Sequence, residues 1–347
     1  QAFNTNTELI TSKLRYREGS VDGNGSYVFS NKDNLSALAV NRLQKAGYSV
    51  GQLNAELNGY PAGSFIVKGK GKLKNEVLKL SQELGINFKG TTNIDNAKYK
   101  ELNKIKVGLY KSWQANMDEG WTRWMLEQFE FDIDTLHNND IKDGKLSQYS
   151  AIIFPSQSPN GILHGHSELS MPKKFTGGIG LDGMSKIDQY TKSGGTVIFF
   201  DAASDLAIEQ LGLPVRNVVS NLPSSSFFIP GSLVRMKVDT NNQLAYGMMD
   251  EVAASFNRSS AFQTIEQRKS GEGGEEKIAD APKANVIEVA SYASNDILMS
   301  GWAMGEERYL KNKSAMLHIP HGSGDIVLFG FRPQFRGQPR GTYKLIF

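Results

Sequence analysis

A chain of 347 residues is too long for most single cores and suits two domains. Its 39% apolar and 22% charged residues are ordinary for a globular protein, and a formal charge of +3 with scattered basic residues argues against nucleic-acid binding. The absence of cysteine excludes disulfides, cysteine metal sites and a cysteine nucleophile, and no apolar run is long enough to span a bilayer.

The opening Gln1-Ala2-Phe3 lacks the basic and apolar regions of a signal peptide. The last residues, Tyr343-Lys344-Leu345-Ile346-Phe347, read as an uncapped helical turn, so the chain reads as a piece excised from a longer protein. Asp22-Gly23-Asn24-Gly25 is a turn signal. A strand is expected over 27–29. A helix is expected over 34–46, with Leu35, Leu38, Ala39, Val40 and Leu43 at helical spacing and Gly47 as its stop. A second pair follows, a strand over 64–67 and a helix over 73–84 stopped by Gly85. The polar stretch 93–103 reads as a linker, which divides the chain into an N-terminal α/β part, 1–103, and a larger part, 104–347.

In the larger part a strand over 105–110 leads to a helix that begins at Asp118 and Glu119 and runs through Trp121, Trp124, Met125, Leu126 and Phe129. Acidic residues in a first turn suit the positive end of the helix dipole. Strands over 131–136 and 151–154, a helix over 180–193, an apolar strand over 196–200 and a helix over 203–211 follow. This alternation, with continuously apolar strands, predicts an α/β fold with a doubly wound, mainly parallel sheet. Shorter strands over 232–238 and 286–290, a solvated polar loop over 268–280, and apolar strands over 315–319 and 325–331 complete it.

Ligands of open α/β sheets bind at the carboxyl ends of the strands. That directs attention to Lys111 and Ser112, Ser156 and Gln157, Asp201 to Ser204, and Arg332 onward. Ser112, Ser156 and Ser204 are candidate nucleophiles with His164 or His166 as base, but none lies in a Gly-x-Ser-x-Gly elbow, and the ordinary reading of Ser204 is a helix N-cap. His164 and His166, with Glu168 nearby, read as a metal pair or as turn caps. His318 and His321 are a weaker pair with no acidic neighbour in sequence. Trp121 and Trp124 share a helix face and read as core, whereas Trp113, in a loop, is expected to be the more exposed and able to stack on a sugar or peptide side chain. Gly177-Gly178-Ile179-Gly180 has the look of a phosphate cradle but lacks the lysine of a P-loop. Arg332, Arg336 and Arg340 could hold a carboxylate, or pair with Asp118, Glu119 and Asp201 to pin the end of the sheet.

Two segments carry a family resemblance. Ser193-Gly194-Gly195-Thr196-Val197-Ile198-Phe199-Phe200-Asp201-Ala202-Ala203 resembles the glycine-strand-nucleophile segment of class I glutamine amidotransferases, with Asp201 in the place of the cysteine. Phe331-Arg332-Pro333-Gln334 is similar to that family's Phe-His-Pro-Glu, with Arg332 for the base and Gln334 for its orienter. The resemblance implies a flavodoxin-like sheet without its triad. Aspartate is a poor nucleophile toward an amide, arginine does not give up its proton, and an Asp201–Arg332 ion pair is expected instead.

A wider resemblance rests on Met117-Asp118-Glu119-Gly120-Trp121-Thr122-Arg123-Trp124, on Gly212-Leu213-Pro214-Val215-Arg216-Asn217, and on Gly330-Phe331-Arg332-Pro333-Gln334-Phe335-Arg336-Gly337-Gln338-Pro339, with Pro61-Ala62-Gly63-Ser64-Phe65 in the first part. These strings are similar to the C-terminal, amidotransferase-like region of bacterial carboxypeptidase A-like zinc metallopeptidases. That resemblance implies an exported, non-catalytic accessory region that positions substrate, binds a peptide or sugar, or forms a homodimer, beside its own upstream peptidase domain. No histidine here has glutamate three residues on, so zinc is expected in the peptidase domain upstream of Gln1 and no cofactor in this region. The candidate crevice comprises Ser112, Trp113, Glu119, Ser156, Asp201, Arg332 and Gln334. The competing expectations are a serine/histidine hydrolase and a pure protein-interaction module.

Overall fold

The computed structural model describes residues 8–12, 18–69, 71–92, 98–265 and 285–347. The polar loop expected over 268–280, and residues 93–97 of the linker expected over 93–103, lie outside them. The chain divides into two compact units, Gln1–Leu102 and Asn103–Phe347.

The first unit contains β1 (Val21–Asp22), β2 (Ser26–Phe29), α1 (Leu35–Lys45), β3 (Ser49–Leu53), β4 (Phe65–Lys68), α2 (Leu73–Leu84), β5 (Phe88–Thr91) and β6 (Tyr99–Glu101). Its sheet order is β1-β5-β2-β4-β3-β6, and all neighbours are antiparallel except β1 and β5. The central order β5-β2-β4-β3, read with the chain order βαββαβ, is the split βαβ arrangement of ferredoxin-like domains. Ala39 and Leu43 of α1 and Val77 and Leu80 of α2 pack on Phe29, Val50, Val67 and Phe88 of the sheet, so both helices cover one face. Gly85 ends α2 in the left-handed conformation, at φ 69°. The expected linker is in part the edge strand β6, which pairs with β3 where Tyr99 lies against Gly51.

The second unit begins with β7 (Lys106–Tyr110), α3 (Met117–Gln128), β8 (Asp132–Leu136), α4 (Asn138–Asp143), β9 (Ala151–Phe154), α5 (Pro159–Leu163), α6 (Gly180–Lys192), β10 (Thr196–Phe200) and α7 (Ala202–Gln210). It continues through β11 (Val215–Asn217), β12 (Ser232–Val238), β13 (Glu251–Phe256), β14 (Phe262–Thr264), β15 (Ile287–Tyr292), β16 (Leu298–Ser300), α8 (Glu306–Tyr309), β17 (Ser314–His321) and β18 (Gly324–Phe329). Strands β8-β7-β9-β10-β18 are parallel and adjacent in that order. Numbered along the chain this is 2-1-3-4-5, the flavodoxin-like order, whose switch point lies between β7 and β9. β17, β15, β12 and β13 then extend the sheet antiparallel.

The crossover from β7 to β8 runs one way and that from β8 to β9 runs back, which sends α3 and α4 to opposite faces. On one face Ile152, Phe154, Val197 and Phe199 meet Ile187 of α6 and Leu206 of α7. On the other, Phe129 at the end of α3 meets Tyr343 and Phe347 in and just after a 3-10 segment, Arg340–Leu345. The helical turn expected at the end of the sequence is present as this 3-10 segment. No helix among the described residues is long and apolar enough to cross a membrane.

Candidate functional site

Four strand ends meet at the carboxyl edge of the parallel sheet. After β7 the chain passes through Ser112 and Trp113 to Asn116, whose side-chain oxygen accepts from the amides of Asp118 (2.9 Å) and Glu119 (3.4 Å) and so caps α3. The Asn116 amide group also donates to the Ser156 carbonyl at 3.2 Å, joining the β7 and β9 loops across the switch point. Gln157 donates to the Ser112 hydroxyl (2.9 Å) and to Gln114 Oε1 (3.2 Å), making the same connection from the other side.

Asp201 occupies the turn between β10 and α7 at φ 51°, ψ −118°. A non-glycine residue with positive φ at a sharp strand-to-helix turn costs about 1–3 kcal/mol and presents its side chain at the edge of the sheet, as a nucleophile elbow does. Here the side chain is a carboxylate, 1% exposed. It accepts from the Ser156 hydroxyl at 2.9 Å, while the Asp201 amide donates to the Phe329 carbonyl at 2.8 Å. Ser204 is not the N-cap of α7, which is Asp201. Its hydroxyl lies inside the helix and reaches back to the carbonyls of Phe199 (3.1 Å) and Phe329 (2.9 Å), tying the helix to both strand ends.

After β18, Gly330 passes so close to its neighbours that a Cβ would stand 2.6 Å from the Ser260 carbonyl. Arg332 then turns back over the sheet. Its Nε lies 3.0 Å from Asp201 Oδ2 and 3.4 Å from Asp118 Oδ2, at ion-pair distance but without hydrogen-bond geometry to either. The guanidinium also sits over the Phe335 ring, 5.5 Å from its centre. Gln334 is fully buried and donates to Thr122 Oγ1 at 2.6 Å. Glu119, also buried, pairs with Arg123 in the next helical turn and with Lys111 at 3.8 Å.

One arginine thus serves two buried carboxylates. Burial pushes the Asp118 carboxyl up to about 6, with Asp201 adding to the rise and Arg332 and Arg336 opposing it. Burial raises Asp201 as well, against Arg332, the hydroxyls of Ser259 and Ser156, and the Ala202 amide. The Ser259 hydroxyl counts there as a hydrogen-bond donor to the carboxylate, although Asp201 Oδ1 meets no donor in strict hydrogen-bond geometry. Asp118 Oδ1 and Gln334 Oε1 are buried and unpartnered too.

The structure therefore joins Ser156, Asp201, Arg332 and Gln334 in one cluster around Asp118, the acid that sequence reasoning left outside the crevice. Ser112 belongs to the neighbouring switch-point network and Glu119 to an ion pair beside it. Trp113 is half-buried rather than open: one face stacks on His137, with centroids 3.9 Å apart and planes at 9°, and Phe175 meets the ring edgewise. His318 and His321 do have acidic partners, Asp325 across the β17–β18 hairpin and Asp188 from α6, each at 2.6 Å. Both pairs lie at the amino end of β18, away from the cluster. Gly178 serves close packing, since a Cβ would stand 2.2 Å from the Ile162 carbonyl. Among the described residues no three His, Asp or Glu side chains are grouped to hold a metal ion. Asn116 and Asp118 carried a sequence signal, an asparagine just before an acidic first turn. Gln157 carried none beyond its place at a strand end.

No protein-family model matches the chain, and no curated protein matches it. Solved structures with some likeness include PurLQS from Thermotoga maritima, at 15% identity and a TM-score of 0.42 over 70% of this chain and 96% of that one. A cytoplasmic protein from Salmonella typhimurium gives 13% and 0.42 over 70% and 96%. A glutamine amidotransferase from Thermotoga maritima gives 10% and 0.36 over 66% and 76%. Likeness at this level says nothing of activity or ligand, and the doubly wound α/β assignment rests on the strand order and pairing above.

Proposed function

We propose that the unit Asn103–Phe347 is a non-catalytic, ligand-binding accessory region, and that the chain belongs to the C-terminal part of a zinc carboxypeptidase. The observation that carries the first half is Asp201: the elbow position holds a buried carboxylate paired with Arg332 and bonded to Ser156. A carboxylate in that state accepts hydrogen bonds but does not attack an amide, and its arginine neighbour keeps its proton. The serines support the same reading. Ser112 donates to the Gln114 carbonyl, Ser156 to Asp201 and Ser204 to two main-chain carbonyls, so each hydroxyl is directed at an acceptor other than histidine.

The carboxypeptidase parent, its zinc, the upstream domain as partner and export from the cell rest on the sequence resemblance of segments such as Gly330 to Pro339 alone. The test of the accessory reading is turnover. The purified chain is offered glutamine and simple amides, and labelled with an active-site serine probe. No turnover and no single-site labelling are expected; hydrolysis of either substrate, or labelling of one serine, overturns the reading. Burial of Asp201 and Gln334 also favours a second reading, an interaction module in which the strand-end cluster serves only to hold the sheet.

A further inference from the structure

The sequence holds three Asn-Gly pairs, Asn24-Gly25, Asn58-Gly59 and Asn160-Gly161, and the fold treats them differently. A glycine after asparagine leaves the next amide nitrogen without a side chain to shield it, so that nitrogen can attack the asparagine's own side-chain carbon. In Asn160-Gly161 the nitrogen is engaged. Gly161 lies buried in α5, and its amide donates to Ser158 Oγ at 3.2 Å. In Asn58-Gly59 the backbone is fixed. Leu57 and Tyr60 exchange two hydrogen bonds of 2.9 Å across the pair, whose φ angles are 54° and 83°, as in a tight two-residue hairpin turn. Asn58 Nδ2, the group that would have to leave, donates to Thr91 Oγ1 at 3.3 Å.

Asn24-Gly25 has neither restraint. It lies in the bend between β1 and β2, with Asn24 exposed. The Gly25 amide donates to no acceptor among the described residues. Asn24 Oδ1 accepts from Lys74 Nζ, in the first turn of α2, at 2.8 Å. Attack on the side-chain carbon puts negative charge on that same oxygen, so the ammonium group stabilises the charge as it forms.

We propose that Asn24 is a self-modification site, converted to aspartate and isoaspartate by the Gly25 amide with Lys74 assisting. Solvent base takes the Gly25 amide proton and the nitrogen forms a bond to Asn24 Cγ. The Cγ–Nδ2 bond breaks, and Nδ2 leaves as ammonia. Water then opens the cyclic imide at either carbonyl, so that water is consumed, ammonia is released and nothing is oxidised or reduced. The aspartate product keeps the Lys74 contact as an ion pair. The isoaspartate product lengthens the main chain where it packs on Gly90, at which a Cβ would stand 2.4 Å from the Asn24 nitrogen, and so loosens β1 from β5. The site lies in the first unit and is independent of the accessory reading of the second.

The test incubates the whole chain in mildly alkaline heavy-oxygen water and follows each Asn-Gly peptide by mass spectrometry. Label is expected at position 24 well before positions 58 and 160, with both aspartate and isoaspartate formed there. Lys74 is exposed, so its replacement leaves the core intact. Lys74→Met is expected to slow the reaction at Asn24 about two- to fivefold, the range of an exposed charge contact, without changing the other two sites. Lys74→Arg is expected to restore the rate. In guanidinium chloride, where the fold no longer distinguishes them, the three sites are expected to react alike. Equal labelling of the three sites in the folded chain, the same ranking in guanidinium chloride, or an unchanged or faster rate in Lys74→Met overturns the proposal.

Discussion

Replacing Asp118 with asparagine should make the second unit more stable at neutral pH and no more stable in acid. In the folded chain this carboxyl is raised from 3.8 to about 6, because its burial outweighs its attraction to Arg332. A folded-state value above the unfolded one means that the stabilising contribution is complete below the unfolded value and is lost as pH rises through the folded value. The loss amounts to about two pH units at 1.36 kcal/mol each, or ~3 kcal/mol between about pH 4 and pH 7. Asparagine cannot ionise, so Asp118→Asn should escape most of that loss. We expect it to exceed the native chain by ~1–3 kcal/mol at about pH 7.5, with the gap closing near about pH 4. Urea denaturation followed by tryptophan fluorescence measures this cleanly. All four tryptophans, Trp113, Trp121, Trp124 and Trp302, lie in the second unit, and urea, unlike guanidinium, adds no cation to the cluster. Contributions from titrating groups outside the cluster are common to both proteins and cancel, and the Asp201 carboxyl, relieved of the Asp118 charge, shifts in the direction that adds to the gain. If Asp118→Asn is instead less stable by the same amount at every pH, the Asp118–Arg332 contact is a net stabiliser and the burial argument is wrong.

Removing Arg332 leaves both carboxylates buried with no cation. Arg332→Met should therefore cost about 3–5 kcal/mol by the same denaturation assay, and adding Asp118→Asn should recover part of the loss. Gly330→Ala brings a Cβ to 2.6 Å from the Ser260 carbonyl, and a loss of about 1–3 kcal/mol with an unchanged far-ultraviolet spectrum is expected. Ser204→Ala should cost about 1 kcal/mol, since its hydroxyl serves two carbonyls that also belong to the sheet's end. Asp205 is likewise raised to about 6, chiefly by burial and against its bonds from Asn217. Asp205→Asn in the Asp118→Asn background should therefore reduce the remaining stability loss between about pH 4 and pH 7, with the Asp201 share left in place.

Apolar strands and helix stops were legible because each is a local signal. The run Thr196 to Phe200 is apolar throughout and emerges as β10 with the expected bounds, and Gly85 adopts positive φ where the helical spacing ends. β3, β5 and β6 went unread in the first part. β3 contains Gly51 and Gln52, and β5 contains Lys89 and Gly90, so neither shows clean alternation. Their partners, far apart in sequence, make them strands. The site divides in the same way. The Asp201–Arg332 pair follows from residue type at two strand ends, but the share that Asp118 takes in it depends on where α3 starts. That start is fixed by the Asn116 cap to within one turn of helix. The partners of His318 and His321 were hidden for a like reason, since a hairpin and a helix bring up acids that no sequence spacing suggests.

The place of β18 in the sheet bears on how the second unit comes to be folded. β10 is apolar on both sides and lies between β9 and β18, yet the Ser204–Phe329 bond that joins these ends spans 125 positions. The Gln334–Thr122 bond spans 212. On a ribosome, β7 to β10 are therefore complete long before the strand that covers β10 exists, and one apolar edge waits through the synthesis of the whole antiparallel extension. An unpaired central strand of this kind invites pairing with other chains. Pairing over such separations is also slow, because loop closure precedes any gain from contact. The same late hairpin that delivers Arg332 to Asp201 thus also closes the exposed edge of β10.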